Sequence, residues 1–275
     1  MWQKDFGDDK AEEIAKGVRK KRPLFIRANT NLISAEELAE RLKKEGVKVE
    51  KRQDLPSYVL TISGLNSIAT LDSFKKGLFY VQDLSCILSG DMYGLKKGDN
   101  VLDICAAPGG KSINAALILS EMEGGSVTSC DVSDDKTALI NENIQRMKLQ
   151  NIKILKSDAR VFSEEFEYAF DVVIADVPCS GLGIIGRKPD ILLRLKEDDT
   201  DKLSKLQKKI IDNGIRYVKK GGRFIFSTCT LNKKENEDNA EYIKNNYNVE
   251  ELCVKTEFPG REDKGDGFFT AVFRK

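Results

Sequence analysis

Histidine is absent from the 275 residues of this chain, so a mechanism that needs an imidazole base is excluded. CxxC pairs are absent as well, and we predict no metal site because paired cysteines and histidines are the usual zinc ligands. The six cysteines lack the spacing of a disulfide framework, which predicts reduced thiols. They are Cys86, Cys105, Cys130, Cys179, Cys229 and Cys253.

Long apolar runs are also missing, and the N-terminus has no charged-then-apolar leader. These absences predict a soluble, cytoplasmic protein with no membrane partner, and we expect a monomer. With 40% hydrophobic residues, the chain can bury one sizeable α/β core and a small extra domain. We therefore predict a small N-terminal subdomain over 1–75 and a main domain over 76–275.

A large excess of positive or negative residues is missing too, because the chain has 45 Lys and Arg residues and 44 Asp and Glu residues, which gives a net charge of +1. Bulk charge therefore does not indicate a nucleic-acid-binding protein. Two local basic clusters remain. The first, Lys16–Arg22, is more typical of a solvated face. The second, Arg187 and Lys188, lies just past a Pro-Cys turn, where phosphate contact is the better interpretation.

The first 75 residues have the pattern of a small α+β unit. A polar helix is predicted up to about residue 22, and Trp2 has so little around it to bury its ring that it looks like the tail of a missing element. The strand Leu24–Ala28 precedes a helix that begins at Ser34, with Glu37 at the capping-box spacing. Two short strands follow. Such a module beside a catalytic domain is typically a substrate-binding platform, and a packing extension is the alternative.

The main sheet begins with a turn that is rich in small residues. The apolar run Val101-Leu102 leads into Asp103–Lys111, and an Ala-rich helix follows at Ser112–Leu119. A strand, a tight turn and a helix N-terminus in this order are typical of a site for a nucleotide-like cofactor. Gly109 and Gly110 let the backbone approach a ligand, and the free N–H groups favour polar or anionic groups. A plain βα turn is the alternative.

Acidic and thiol side chains follow three further predicted strands. Asp131 ends the second strand about 20 residues beyond Gly109, the spacing of a carboxylate that binds ribose hydroxyls, although a surface aspartate is the alternative. Two buried strands later in the chain deliver Asp176, Cys179 and Cys229. Ligands of open α/β sheets bind beyond the carboxyl ends of the strands, so we expect these side chains to face one crevice.

Three segments resemble the motifs of the Sun/Fmu-type RNA cytosine carbon-5 methyltransferases, which use S-adenosylmethionine: Asp103–Lys111, Asp176–Gly181, and Ser227–Thr230 with Glu235–Glu237. The similarity covers nearly the whole chain and fits the bacterial 16S rRNA member best. It implies an α/β fold with a seven-stranded Rossmann-like methyltransferase domain, a small RNA-binding α+β subdomain before it, and RNA as the partner. Full-length bacterial members carry an N-terminal NusB-type domain that nothing here matches, so we expect a truncated form or a shorter homologue.

The resemblance also implies a role for each residue of the crevice. Carbon 5 of cytosine accepts a methyl group only after a thiolate adds to carbon 6. In the family's pattern Cys229 attacks and Cys179 assists product release. Asp176 binds the N3/N4 edge of the base, Lys111 positions the base or Asp176, and Asp158 contacts the adenine amino group. The implied cofactor-binding residues are Ala106, Ala107, Pro108, Gly109, Gly110, Lys111, Asp131, Asp158 and Asp176.

Several alternatives stay open at this point. Without the family, the Pro-Cys turn would place the nucleophile at Cys179, and both thiols could be small buried hydrophobes. Asp158 could equally cap a surface turn. An NAD-dependent oxidoreductase would need the absent Gly-x-Gly-x-x-Gly motif. A non-catalytic RNA-binding protein leaves Cys229 unexplained, and a tRNA cytosine methyltransferase is a further alternative.

Three short stretches depart from the family pattern without touching the two thiols. Asn232-Lys233 stands where a proline is usual, and Lys264–Gly267 lacks a histidine that is common there. Leu192-Leu193 replaces a more polar pair. This last departure could alter RNA contact.

Overall fold

Four helices and a four-stranded sheet form the described N-terminal part of the chain. The computed structural model of the protein describes residues 1–20, 22–196, 198–259 and 265–275. The elements of this part are α1 (Trp2–Phe6), α2 (Asp8–Val18), β1 (Leu24–Ala28), α3 (Ala35–Lys44), β2 (Lys48–Glu50), β3 (Val59–Ser63), α4 (Asp72–Lys75) and β4 (Phe79–Val81). The strand order β2-β3-β1-β4, with antiparallel neighbours, is that of a ferredoxin-like unit.

The two faces of this small sheet contact different parts of the protein. Ile26 and Ala28 are buried in the cluster that also contains α3 side chains. Phe25, which alternates with them along β1, is buried against Leu84 and Ile87 of the next helix. The small sheet is therefore packed between its own helices and the larger part of the chain.

The larger part consists of a seven-stranded sheet with helices on both faces. Its elements are α5 (Leu84–Ser89), β5 (Asn100–Asp103), α6 (Gly110–Glu121), β6 (Ser126–Asp131), α7 (Asp134–Met147), β7 (Ile152–Lys156), β8 (Phe170–Asp176), α8 (Ile191–Arg194), α9 (Asp199–Tyr217), β9 (Val218–Thr228), α10 (Glu237–Asn246), β10 (Glu250–Glu257) and β11 (Phe268–Arg274). This architecture confirms the predicted fold class. Within the described ranges, no helix combines the length and apolarity needed to cross a bilayer.

The strand order β10-β11-β9-β8-β5-β6-β7 determines where a ligand can bind. Strands β7, β6, β5, β8 and β9 are parallel, while β11 is antiparallel to both of its neighbours. From β5 the chain first runs outward through β6 and β7, and then returns to the other side of β5 as β8. Such a reversal opens a crevice at the carboxyl ends of the strands.

The core explains why the central strands are continuous apolar runs. Val172, Val173 and Ile174 of β8 are all buried, because helices cover both faces of the sheet. On one face α9 contributes Ile211 and Ile215 to the core.

Two features of the N-terminal part differ from the sequence analysis. Strand β4 was not among the predicted strands, because three residues give too little pattern to recognise. Strand β4 follows residue 75, yet it pairs with β1 of the N-terminal part. The domain boundary between residues 75 and 76 stays a prediction. Trp2 does not lack neighbours, because its Nε1–H donates to the Leu231 carbonyl at 2.8 Å and its ring packs on a buried cluster. Lys21 and Lys264, in two of the stretches discussed above, lie outside the described residues.

Candidate active site

A cleft of about 860 Å³ lies at the carboxyl ends of β5, β6, β8 and β9. Sites for small molecules typically have roughly 300–1,000 Å³, so the cleft can hold a cofactor together with part of a substrate. The predicted site residues that line it are Ala107, Asp131, Asp158, Asp176, Cys179 and Cys229. The structure therefore brings the predicted cofactor turn and both predicted thiols into one crevice.

The turn between β5 and α6 has the backbone that a close ligand approach needs. Gly109, the N-cap of α6, has a φ of +107°, a conformation that side chains disfavour. The Ala107 N–H donates to Asp131 Oδ2 at 2.9 Å, which ties the turn to the end of β6. Ala107 lines the cleft, whereas the side chain of Ala106 is buried in the core and Pro108 is exposed. Of these three residues, Ala107 presents its side chain to a ligand in the cleft.

Asp131 is fixed by several donors at the cofactor end of the cleft. Its side chain is almost fully buried, and the Val132 N–H donates to Oδ1 at 2.8 Å. Lys136 Nζ lies 3.0 Å from the same oxygen. A carboxylate held beside a glycine turn fits the ribose hydroxyls of S-adenosylmethionine. The ligand would share this carboxylate with Lys136, a partner that the sequence did not suggest.

Asp103 lies beneath the turn and faces the core rather than the cleft. It is fully buried, and the Ser112 hydroxyl donates to Oδ2 at 2.7 Å. Among the described residues, Oδ1 has no hydrogen-bond partner. Burial raises the pKa of Asp103 to about 7, although the bond from Ser112 acts in the opposite direction.

Asp176 lies at the end of β8 between a cation and a hydroxyl. Lys111 Nζ lies 2.5 Å from Asp176 Oδ2, and the Ser227 hydroxyl donates to Oδ1 at 2.9 Å. Burial acts to lower the pKa of Lys111, but the Asp176 carboxylate outweighs it and raises that pKa well above its ordinary value. Lys111 thus remains a cation that orients Asp176, and Ser227 is a further contact that the sequence analysis missed.

The two predicted thiols meet at the opposite end of the cleft from Asp131. Cys179 Sγ and Cys229 Sγ are 3.3 Å apart, within hydrogen-bond distance for sulfur. Both side chains are half-buried and line the cleft. The placement of both at one crevice, beside Asp176, disfavours the interpretation of these cysteines as core hydrophobes.

The environments of the thiols differ in a way that favours one nucleophile. The hydrogen bond with Cys179 lowers the pKa of Cys229, and the nearby Lys111 also acts in this direction. The same hydrogen bond, together with burial, raises the pKa of Cys179. A third thiol, Cys105, lines the cleft as well, but burial raises its pKa. Either sulfur can donate this hydrogen bond, so the preference for a thiolate, the reactive form, at Cys229 depends on Lys111 and Lys188 near Cys229 and on Glu235 near Cys179.

A buried carboxylate joins the loops that carry the two thiols. Glu235 is fully buried and accepts hydrogen bonds from the Ser180 N–H at 2.9 Å, from Asn232 Nδ2 at 2.6 Å and from Gln207 Nε2 at 2.9 Å. The Ser180 hydroxyl also donates to Glu235 and lies 2.6 Å from Thr230 Oγ1. Because Ser180 follows one thiol and Thr230 follows the other, this network sets the separation of the two sulfur atoms.

The two thiol loops also pack against each other and against the N-terminal helices. The Gly183 N–H donates to the Cys229 carbonyl at 3.1 Å, and a Cβ at Gly183 would lie 2.8 Å from that oxygen. Ile14 and Val18 of α2 are buried in one cluster with side chains of both loops. The first residues of the chain therefore support the candidate active site directly.

Two predicted contacts take a different form in the structure. Asp158 lines the cleft, but Arg160 binds it through its backbone N–H at 2.9 Å and its guanidinium, which lowers the pKa of Asp158. This geometry matches the alternative in which Asp158 caps a surface turn. Its contact with the adenine amino group stays a proposal. Arg187 was predicted to bind phosphate, but Asp266 and Asp83 engage its guanidinium. Phosphate contact by Arg187 stays a prediction, and Lys188 is exposed at the cleft.

The basic cluster near the N-terminus is likewise partly occupied within the protein. Lys16 pairs with Glu12 at 2.5 Å on an exposed face, as expected for a solvated helix. The side chain of Arg22 is buried, lies 3.3 Å from Asp266 and donates to the Gly265 carbonyl. Lys16 and Arg22 therefore serve the structure of the protein, whereas Arg19 and Lys20 are exposed.

A seven-stranded sheet with this order, a glycine turn after β5 and a carboxylate at the end of β6 define an S-adenosylmethionine-dependent methyltransferase. The chain belongs to the 16S rRNA methyltransferase RsmB/F family, whose family model matches residues 92–274. A second family model, for the RsmF/B-like, ferredoxin-like domain, matches residues 1–65. Membership confirms the predicted resemblance, and S-adenosylmethionine is the cofactor of this family.

Individual relatives agree with this assignment. The chain is 36% identical over 238 residues to the probable ribosomal RNA small subunit methyltransferase B of Bacillus subtilis (strain 168), a match that covers 86% of this chain and 52% of the relative. It is 30% identical over 230 residues to ribosomal RNA small subunit methyltransferase F of Shewanella amazonensis, covering 82% of this chain and 48% of the relative. The chain thus spans about half the length of these curated relatives.

Solved structures extend the comparison to the fold. The crystal structure of PH0851 superposes with a TM-score of 0.92 at 30% identity, covering 99% of this chain and 64% of that one. NSun6 from Pyrococcus horikoshii, solved with SFG, has a TM-score of 0.88 at 23% identity and covers 100% of this chain and 96% of that one. The second likeness concerns the fold alone.

Proposed function

We propose that this chain transfers a methyl group from S-adenosylmethionine to carbon 5 of a cytosine in RNA, with small-subunit rRNA as the substrate. The observation that carries the proposal is the pair of thiols 3.3 Å apart beside the Lys111–Asp176 ion pair. A non-catalytic RNA-binding protein has no need for two thiols in the cofactor cleft. The names of the curated relatives favour rRNA over tRNA.

The end of the cleft that carries Asp131 binds and orients the cofactor. The turn around Gly109 and the carboxylate of Asp131 hold S-adenosylmethionine, which when bound supplies an electrophilic methyl group. Asp158 contacts the adenine amino group once Arg160 yields one of its hydrogen bonds. Ala107 lines the cofactor site together with Asp131 and Asp158. Ala106 supports the turn from within the protein, because its N–H donates to the Cys130 carbonyl and its carbonyl accepts from the Gly109 N–H.

The thiol end of the cleft activates the base. The Cys229 thiolate adds to carbon 6 of cytosine, and the new C–S bond moves electron density towards carbon 5, which then takes the methyl group. Asp176 binds the N3/N4 edge and steadies the charge that develops there, while Lys111 holds Asp176 in place. The carbon-5 proton then passes to solvent, its bonding pair re-forms the double bond between carbons 5 and 6, and the C–S bond breaks with its electron pair returning to the Cys229 sulfur. Cys179, within hydrogen-bond distance of that sulfur, assists this release.

Mapping of methylated cytosines tests the proposal. The protein is incubated with labelled S-adenosylmethionine and either small-subunit rRNA or tRNA, and the label is located by sequencing. We expect 5-methylcytosine in the rRNA with the wild-type chain and none with Cys229→Ala. Label confined to tRNA would support the tRNA alternative, and a protein that binds both RNAs without methylating either would contradict the proposal.

A further inference from the structure

Two large apolar side chains stand in solvent at the rim of the cleft. Leu192 and Leu193 are 62% and 90% exposed, although they lie on the short helix α8. Single exposed leucines are common on protein surfaces, but two adjacent ones beside a candidate active site are not. Ile191, from the same helix, is buried and lines the cleft. This anchor holds α8, and with it the two leucines, at the edge of the cleft.

Three cations close to the leucines in the chain line the cleft: Lys188, Arg194 and Lys202. The side chains of Arg194 and Lys202 are 72% and 71% exposed, although each pairs with a nearby aspartate, and Lys188 is exposed as well. Exposed apolar side chains near exposed cations match nucleic acid, in which phosphates lie beside stacked bases.

The burial of the two thiols requires the target base to leave its stack, and this suggests a function for the two leucines. Cys179 and Cys229 are half-buried within the cleft, so a cytosine stacked in an RNA helix cannot reach them. The base must leave the stack, and its departure exposes apolar surface on the neighbouring bases. An apolar side chain that enters this gap replaces part of the lost stacking.

We propose that Leu192 and Leu193 form a wedge that occupies the gap left in RNA when the target cytosine enters the cleft. We call this pair the leucine wedge. The inference rests on the proposed function and deepens it, because it assigns a stacked or paired target to the site. Leu193 is the tip, since it is the more exposed of the two.

Two RNA probes test the leucine wedge. Both carry the cytosine and flanking nucleotides that the wild-type chain methylates in a small-subunit rRNA transcript. One probe is a hairpin that pairs this cytosine and the other is a short unpaired strand. We expect Leu193→Ser to lower kcat/KM on the hairpin about tenfold more than on the strand, because only the hairpin needs the gap filled. Leu193→Phe, which keeps an apolar tip, should retain wild-type discrimination.

A matched control and a second readout separate the wedge from general damage. Leu139, 49% exposed on α7, gives Leu139→Ser, which should match the wild type on both probes. A 2-aminopurine next to the target cytosine of the hairpin should brighten when the wild type binds, but much less with Leu193→Ser. Equal losses on both probes, or no loss on either, would overturn the wedge and leave the proposed function intact. Absence of any methylated cytosine with the wild type would overturn both.

Discussion

Replacement of Asp103 by asparagine should change the way in which stability depends on pH. Asp103 is fully buried under the cofactor turn, and burial raises its pKa from the ordinary 3.8 to about 7. The Ser112 hydroxyl, Lys111 and the Cys105 backbone act to lower this pKa, but they only partly offset the burial. The folded protein therefore holds the proton of Asp103 more tightly than the unfolded chain does.

The size and sign of the effect follow from this difference in pKa. Because the folded pKa is the higher one, the stability contributed by Asp103 is fully present below about pH 4 and is lost as the pH rises to about 7. One pKa unit corresponds to about 1.4 kcal/mol, so the whole loss is on the order of 4 kcal/mol. About 2–3 kcal/mol of it falls between pH 5 and pH 8. Asparagine carries no charge, so the variant does not lose this stability as the pH rises.

Urea unfolding at a series of pH values measures the effect. We expect the free energy of unfolding of Asp103→Asn to gain about 2–3 kcal/mol on that of the wild type between pH 5 and pH 8. Asp171→Asn is the control. Although burial acts to raise the pKa of Asp171, bonds from Asn100 and Lys219 lower it, so its contribution is lost only in acid. Parallel pH profiles for Asp103→Asn and the wild type would refute burial as the dominant influence on Asp103.

Three further predictions concern the cofactor, the thiol loops and the N-terminal helices. Asp131→Ala should weaken S-adenosylmethionine binding at least tenfold, since a hydrogen bond to a charged group is worth about 1.5–3 kcal/mol; unchanged affinity in calorimetry would remove the ribose assignment. Glu235→Gln should lower kcat with little change in KM, because an amide N–H would face the donors that now hold the thiol loops, and Glu235→Asp should restore part of the rate. A KM effect without a kcat effect would contradict this role. Trp2→Phe should lower stability by about 1 kcal/mol through loss of the bond to the Leu231 carbonyl, and an unchanged Tm would exclude that contact.

Much of the fold could be predicted because its signals are local. The buried parallel strands are continuous apolar runs, as in β8, and Ser34 with Glu37 marks the start of α3, where the structure has the full capping box. The carboxyl-end rule then placed Asp131, Asp176 and the thiols at one crevice. Strand β4 was missed because three residues carry almost no periodic pattern.

The parts that could not be predicted depend on partners far apart in the chain. Glu235 was part of a recognised motif, but its function as an acceptor for Ser180 and Gln207 needs two loops and helix α9 to meet. Arg187 was interpreted as a phosphate contact because it lies just past the Pro-Cys turn. Its partners, Asp83 and Asp266, come from α5's N-cap and from the segment before β11. A count of basic residues in the sequence therefore overestimates the positive charge that is available to RNA.

The central claim is that Cys229 attacks the base and Cys179 assists its release, and trapping of a protein–RNA adduct tests it most directly. Each variant is incubated with S-adenosylmethionine and small-subunit rRNA and then run on a denaturing gel. Cys179→Ala should accumulate an adduct, because attack and methyl transfer proceed while release is blocked. Cys229→Ala and the double variant should form none. A stable adduct in Cys229→Ala would make Cys179 the nucleophile, and full activity in both single variants without any adduct would contradict covalent catalysis in this protein.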